Sequence, residues 1–193
     1  ETVMVGYEAG QSSSDSNSNV LIGAYAGREL QRSRFNVAVG HRSMANLVSG
    51  VQNTAVGAYS AMSARALSNS VTIGFYSGEH LRGSNNTYIG AFSGSNASSY
   101  NSTVIGFQSC QGLIGNAVTA MGVAVLENGS GVMDSVAIGT HVGQNLKNSG
   151  NVVMIGPEAM QSAESAINVV AIGSRVAHDA VSVEDTVILG YGG

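Results

Sequence analysis

The sequence predicts an all-β fold, a parallel β-solenoid or β-roll of about 12 coils with 16–17 residues in each repeat. Three observations support this prediction. A glycine recurs at that spacing along the whole chain, a short apolar phrase precedes each of these glycines, and the rest of the repeat is rich in small and polar residues. We number positions within a repeat from these anchor glycines, which are Gly6, Gly23, Gly40, Gly57, Gly74, Gly90, Gly106, Gly122, Gly139, Gly156, Gly173 and Gly190.

The apolar phrase before each anchor glycine predicts a short strand. Position −1 is Val, Ile, Leu or Met in every repeat, and position −3 is always Val or Thr, mostly β-branched residues that suit a pleated strand. Because positions two apart share one face of a strand, we expect −3 and −1 to cover the coil's own core. A glycine corner, a second short segment and a polar return loop complete the repeat. Parallel stacking at about 4.8 Å would then give a rod roughly 55 Å long.

Position −2, between these two columns, predicts a contact with another copy of the chain. It lies on the opposite face of the same strand, yet none of its residues is charged. A strand that is apolar on both faces is usually buried on both. An uncharged patch that runs the length of a rod needs a partner with the same repeat, which another copy would supply. The alternative is that each coil has a wide core of its own.

Composition predicts a single repeat array, residues 1–193, and the repeats at both ends suggest a segment of a longer fibre. Charged residues make up only 10% and the net charge is −4, which argues against a nucleic-acid partner. No apolar run reaches the roughly 20 residues of a membrane-spanning helix, so we expect no membrane insertion. The single cysteine, Cys110, excludes a disulfide within the chain, and we expect it to be a small buried residue.

Candidate catalytic and metal-ligating residues are scattered rather than grouped. The four histidines occupy four different positions of the repeat, and the twelve carboxylates do not pair. No nucleophile elbow, phosphate loop or dinucleotide fingerprint is present. We therefore expect no catalytic residue, no metal site and no cofactor, and we do not expect an enzyme. The competing classes are a depolymerase on a solenoid, which needs clustered carboxylates, and an ice-binding solenoid, which needs a flat threonine ladder.

Two further groups are candidates for a binding surface. Eight of the eleven aromatic residues stand one or two places after an anchor glycine. We expect their rings to pack between coils or chains, and the alternative is a surface that stacks on sugars. Basic residues of the first coils, and aromatic residues near them or in a later return loop, form a possible receptor-binding group, although a solvated loop cluster is the alternative: Arg28, Arg32, Arg34, Phe35 and Tyr100. The variable return loops that would carry such binding are 31–35, 48–52, 95–100 and 127–134.

The phrases "NVAVG", "NTAVGAYSA", "NTYIGAFSG" and "SVAIG" resemble repeats of two related groups of fibrous proteins. They are similar to the heads of YadA-type trimeric autotransporter adhesins and to the repeat regions of trimeric phage tail fibres. The resemblance covers essentially the whole chain. The adhesin-head repeat is typically shorter than 16–17 residues, a difference that favours the phage fibre or another surface fibre over a true adhesin head.

The resemblance implies a homotrimer joined to adjoining fibre segments. The implied function is a virion tail-fibre shaft or receptor-binding segment that attaches to a glycan or protein of the bacterial host surface. The alternative is an adhesin head that mediates adhesion at the bacterial cell surface. In such a trimer, position −2 becomes the expected interface: Leu21, Ala38, Ala55, Thr72, Tyr88, Val104, Ala120, Ala137, Met154 and Ala171.

Overall fold

Sixteen strands and the turns between them make up the whole of the described chain, which contains no helix. The computed structural model describes residues 1–192. The strands, in chain order, are β1 (Val3–Val5), β2 (Val20–Ile22), β3 (Ser33–Arg34), β4 (Val37–Val39), β5 (Gly50–Val51), β6 (Thr54–Val56), β7 (Leu67–Ser68), β8 (Val71–Ile73), β9 (Thr87–Ile89), β10 (Ser98–Tyr100), β11 (Thr103–Ile105), β12 (Ile114–Val123), β13 (Ser130–Thr140), β14 (Lys147–Ile155), β15 (Ala166–Ile172) and β16 (Val183–Leu189).

The strand before each anchor glycine joins one long parallel sheet. Its order is β1-β2-β4-β6-β8-β9-β11-β12-β13-β14-β15-β16, with β10 also paired to β12, and a smaller sheet has the order β3-β5-β7. The register joins equivalent residues of successive repeats, as in the pairing of Ala38 with Ala55 and of Ala55 with Thr72. The predicted parallel β-solenoid is therefore confirmed, with one repeat forming one coil.

The anchor glycines turn the corner at the end of each of these strands, for two physical reasons. Gly57 has a φ of +128°, a backbone conformation that residues with a Cβ rarely adopt. A Cβ built on Gly57 would also lie 2.5 Å from the carbonyl oxygen of Gly74 in the next coil. The stacked corners touch through bare backbone, so only glycine fits there.

The segment after each corner is an arc of alternating turns. In the second coil, Tyr25 and Gly27 have φ values of 61° and 55°, and the amide of Ala26 donates to the Gly23 carbonyl at 3.2 Å. The amide of Tyr25 donates to the Tyr7 carbonyl of the previous coil at 2.8 Å, and the Gly27 amide donates to the Ser43 carbonyl of the next coil at 2.9 Å. Bonds in both directions along the rod tie the arcs together, so the arc is as regular as the strand.

Position −2 faces the inside of the coil, which contradicts the expected trimer interface. All ten residues assigned to that interface are at most 1% exposed within the single chain: Leu21, Ala38, Ala55, Thr72, Tyr88, Val104, Ala120, Ala137, Met154 and Ala171. Positions −3 and −1 point outwards instead, so the expectation had the two faces of the strand reversed. The physical reason is that side chains from the arc, at positions +3, +4 and +7, also fill the interior and leave room for only one side chain of the strand.

In several repeats the inward residues at −2 and +4 compensate in size, although Ala137 with Gly143 and Met154 with Met160 do not follow this pattern. Leu21 and Tyr88 are followed at position +4 by Gly27 and Gly94, whereas Ala38 is followed by Met44. A Cβ on Gly27 would lie 2.7 Å from Leu21 Cδ2, and a Cβ on Gly94 would overlap the Tyr88 ring. The large side chain of one position therefore occupies the space left by the small residue of the other, as close packing requires.

A buried amide ladder holds the corner at position −4 in the first half of the chain. The backbone amide of Asn36 donates to Asn19 Oδ1 at 2.9 Å, and the side-chain Nδ2 of Asn36 donates to the Gly50 carbonyl at 3.0 Å. These asparagines therefore have a structural role in the stack. From β12 onwards valine mostly takes this position, as at Val152 and Val169, and the strands lengthen from at most 3 residues to 7–11 because backbone pairing continues through the corner.

Candidate functional site

The outward face of the long sheet is an apolar strip with no charged residue. We define the outer strip as positions −3 and −1 of all repeats, none of which is fully buried, with Ile73 37% exposed and Met121 47% exposed. Its members are Val3, Val5, Val20, Ile22, Val37, Val39, Thr54, Val56, Val71, Ile73, Thr87, Ile89, Thr103, Ile105, Thr119, Met121, Val136, Ile138, Val153, Ile155, Val170, Ile172, Val187 and Leu189.

Beside the outer strip, just past the glycine corner, rings from successive coils pack against one another. We call this the aromatic row: Tyr7, Tyr25, His41, Tyr59, Phe75, Tyr76, Phe92 and Phe107. Tyr7 meets Tyr25 edge to face at 5.5 Å between ring centroids, and Tyr76 stacks on Phe92 at 5.6 Å. The expectation that the rings pack between coils is confirmed, and each such contact adds to the burial of ring area.

Together the outer strip and the aromatic row form a long apolar surface. Twelve strands at about 4.8 Å give the outer strip a length of about 55 Å and its three positions a width of about 10 Å, and the aromatic row adds roughly 200 Å² along the first seven coils. The resulting area of roughly 700 Å² exceeds the largest apolar patch of a typical monomer and approaches one side of a standard protein–protein interface. Sequence reasoning recognised the residues of the outer strip as apolar but assigned them to the core.

The structure separates the residues expected to bind a receptor. Arg28 forms an ion pair with Glu8 at 3.4 Å and lies over the Tyr25 ring at 5.5 Å. Arg34 lies in a different column of the repeat, at position −6, to which Tyr100 also belongs four coils further along. Arg32 and Phe35 are exposed at positions −8 and −5, on either side of that column. These five residues therefore do not form one site.

A polar groove runs along another face of the rod, between positions +6 and +8. Position +7 turns inwards and is buried, as at Leu47 and Leu81, so the side chains on either side of it stand as two walls. Two hollows of about 340 Å³ and about 490 Å³ follow each other along the groove and share His80. Sequence reasoning did not identify this groove, although leucine recurs at the inward position +7.

Two ionisable side chains, Cys110 and Tyr88, are buried in the interior, and burial favours their protonated, uncharged forms. Burial raises the pKa of the Cys110 thiol well above its usual range, and burial likewise raises the pKa of the Tyr88 hydroxyl, which hydrogen-bonds to Ser99. A thiol that stays protonated is a poor nucleophile and a poor metal ligand. Within residues 1–192, no three His, Cys, Asp or Glu side chains come together in a group that could hold a metal ion.

The eighth to eleventh coils carry a chain of polar side chains at position +5. Gln144 Nε2 donates to Glu127 Oε2 at 2.6 Å, Gln161 Nε2 donates to Gln144 Oε1 at 2.9 Å, and His178 Nε2 lies 2.8 Å from Gln161 Oε1. Each bond joins neighbouring coils at equivalent positions. This ladder stabilises the stack.

Comparison with known proteins gives no relative for this chain: no protein-family model matches it, and no curated protein or solved structure is significantly similar. Residues 1–192 include no helix with the length and hydrophobicity needed to cross a membrane.

Proposed function

We propose that this chain is a structural segment of a homotrimeric fibre, a phage tail-fibre shaft that takes part in attachment to the bacterial host surface. The observation that carries the proposal is the outer strip, an uncharged, solvent-facing band of Val, Ile and Thr that continues through every coil. Exposed apolar surfaces of this size mark sites of association.

Another copy of the chain is the partner that fits this surface best. The outer strip repeats once per coil, and an identical chain presents the same repeat over the same length. A partner of a different period would match only a few coils before it lost register. Homo-oligomers with closed symmetry are also the commonest soluble assemblies.

Two apolar surfaces at one corner favour a trimer over a two-fold dimer. The outer strip and the aromatic row lie on either side of the anchor glycines, so one copy can offer its strip to one neighbour and its row to the other. Such a head-to-tail contact closes as a ring, and three is the smallest number that closes it. The resemblance of the repeats to trimeric fibres supports the same number.

A trimer of this kind suits a mechanical role. Parallel coils tied by backbone hydrogen bonds in both strand and arc make a stiff rod, which can hold a receptor-binding region away from a virion. The repeat of 16–17 residues favours the phage fibre over the alternative, a bacterial adhesin head. Attachment to the host would use the solvent-facing sides of the rod.

The proposal is tested by light scattering of the intact chain and of the variant Ile105→Asp. We expect the wild type to have three times the 19.6 kDa mass of one chain. A charge in the outer strip would be buried without a partner in the trimer, at a cost of several kcal/mol per copy, so the variant should be monomeric. It should remain folded because Ile105 is outside the core.

The matched control is Ser162→Asp, which adds the same charge at an exposed position on another side of the rod. This variant should keep the mass and the circular dichroism spectrum of the wild type. A wild type that is monomeric at all concentrations, or an Ile105→Asp variant that is still trimeric, would contradict the proposal.

A further inference from the structure

We propose that the groove between positions +6 and +8 binds a linear polysaccharide that carries carboxylate groups. The groove crosses six coils, from Glu29 and Gln31 at one end to Ile114 at the other, a length of about 24 Å at the spacing of stacked strands. Its two hollows lie end to end and share His80, so they form one elongated trough rather than two separate pockets.

Two arginines in the middle of the groove point to an anionic ligand. Arg65 and Arg82 occupy the same column in adjacent coils and are paired through a parallel β-bridge. Like charges directly opposite each other across strands repel. Neither guanidinium forms an ion pair with a carboxylate anywhere in residues 1–192. A carboxylate between them would relieve the repulsion and accept charge-assisted hydrogen bonds, for which arginine is well shaped.

The other charges along the groove limit where the anion binds. His80 stands between the two hollows, and its Nε2 lies 3.6 Å from the Glu79 carboxylate. Glu29 lines the far end, two coils before Arg65. The cationic centre and the acidic end favour a ligand with separated carboxylates and neutral stretches between them. A uniformly and densely charged polymer such as a nucleic acid suits the groove less well, and the net charge of −4 opposes it.

The neutral side chains of the groove suit hydroxyl groups. Asn46 and Ser63 line the first hollow, and Asn96 and Ser98 line the second, each within the coils that flank the arginines. Amides and hydroxyls both donate and accept hydrogen bonds, and so do the hydroxyl groups of a sugar. An acidic peptide would instead meet a trough with few apolar side chains to anchor its residues. A carboxylated polysaccharide satisfies both the arginines and the amides.

This inference deepens the proposed attachment role and rests on it for its biological setting. The groove lies within one chain and on different positions of the repeat from the outer strip. Binding in the groove can therefore be measured whether the chain is a trimer or a monomer, and the two proposals can fail separately.

The test is isothermal titration calorimetry of the intact chain with a galacturonate oligosaccharide. We expect saturable binding that weakens as salt is added, and no binding of a neutral galactan oligosaccharide of the same length. Arg65→Gln and Arg82→Gln should each weaken binding about tenfold or more, because each removes a charge-assisted hydrogen bond. Glu29→Gln should tighten it by removing a like charge.

The matched control is Lys147→Gln, which removes one positive charge from the same column outside the groove. It should bind galacturonate as the wild type does. The proposal is overturned by a wild type that fails to bind galacturonate, by arginine variants that bind like the Lys147→Gln control, or by equal binding of galactan. Equal or tighter binding of poly-glutamate would overturn the assignment to a sugar.

The mass of the same samples separates this proposal from the previous one. If the chain is a trimer that does not bind galacturonate, the proposed groove site is wrong and the proposed fibre still stands. If the chain is a monomer that binds galacturonate through Arg65 and Arg82, the proposed trimer is wrong and the groove site still stands.

Discussion

At the scale of single residues, parts of the interior are built from pairs of side chains whose sizes compensate. Ala38 shares its coil with Met44, whereas Leu21 shares its coil with Gly27, at the same two positions. Since protein interiors are close-packed, an unmatched change of volume at either position strains the coil or leaves a cavity. The two positions should therefore tolerate paired changes better than single ones.

This compensation predicts the outcome of a double-mutant cycle at Ala38 and Met44. Ala38→Leu alone should lower the free energy of unfolding by about 1–3 kcal/mol through overpacking. Met44→Gly alone should lower it by about 2–5 kcal/mol through the cavity it leaves. The double variant recreates the Leu–Gly pair of the preceding coil, so it should be more stable than the sum of the single effects by 1 kcal/mol or more. Urea denaturation measures all four chains.

Strictly additive single effects would contradict this account of the core. They would mean that the two side chains do not occupy shared space. In that case the size pattern along the sequence would have another cause.

At the scale of elements, the strand, corner and arc were largely predictable from sequence because the repeat displays them twelve times. The apolar phrase and the invariant glycine fixed the strand and its end. The direction of the strand's two faces was not predictable from the phrase alone, since positions −3, −2 and −1 are all apolar. Two other features of the sequence indicate which face of the strand points inwards. Small or apolar residues at +3, +4 and +7 of the arc fill the interior, and in several repeats the residue sizes at −2 and +4 match.

Of the candidate surfaces, one was predictable from the sequence and one was not. The aromatic row was visible as a column, because ring spacing depends only on the coil repeat. The groove was not, because it depends on which arc residues turn inwards, and that follows from alternating positive φ values at residues such as Tyr25 and Met44. Nothing in those residue types marks them as left-handed, and only the stacking of complete coils holds them there.

The corner glycines give the sharpest prediction at this scale. Gly57→Ala should lower the free energy of unfolding by about 3 kcal/mol or more, because the new Cβ meets the Gly74 backbone and the φ of +128° is unfavourable for alanine. Gly150→Ala is the matched control, since its Cβ would meet nothing within 4 Å and its φ is not positive. Thermal unfolding of both variants measures the difference.

Gly150→Ala should leave stability within about 0.5 kcal/mol of the wild type or raise it slightly. Equal losses in the two variants would show that the anchor glycines are not required for the approach of neighbouring corners. The stacking of bare backbone at each corner would then need another explanation.

At the scale of the whole molecule, the rod presents different surfaces on different sides. The outer strip and the aromatic row adjoin the glycine corner, and the groove lies further along the arc. In the proposed trimer the first two surfaces face other copies and the groove faces solvent. The outer strip repeats from coil to coil, so the fibre would gain cohesion in proportion to its length.

The most direct test of the central claim, that the outer strip contacts another copy of the chain, is cross-linking through a single introduced cysteine. Val56→Cys places a thiol in the outer strip, while the native Cys110 is buried and its raised pKa keeps it unreactive. Labelled with a benzophenone maleimide and irradiated, which joins the label to any side chain within reach, this variant should give covalently linked pairs of chains on a denaturing gel, and Ser162→Cys should not. The claim would be contradicted if the Val56→Cys variant ran only as single chains on the gel and the mass of the sample in solution were that of one chain.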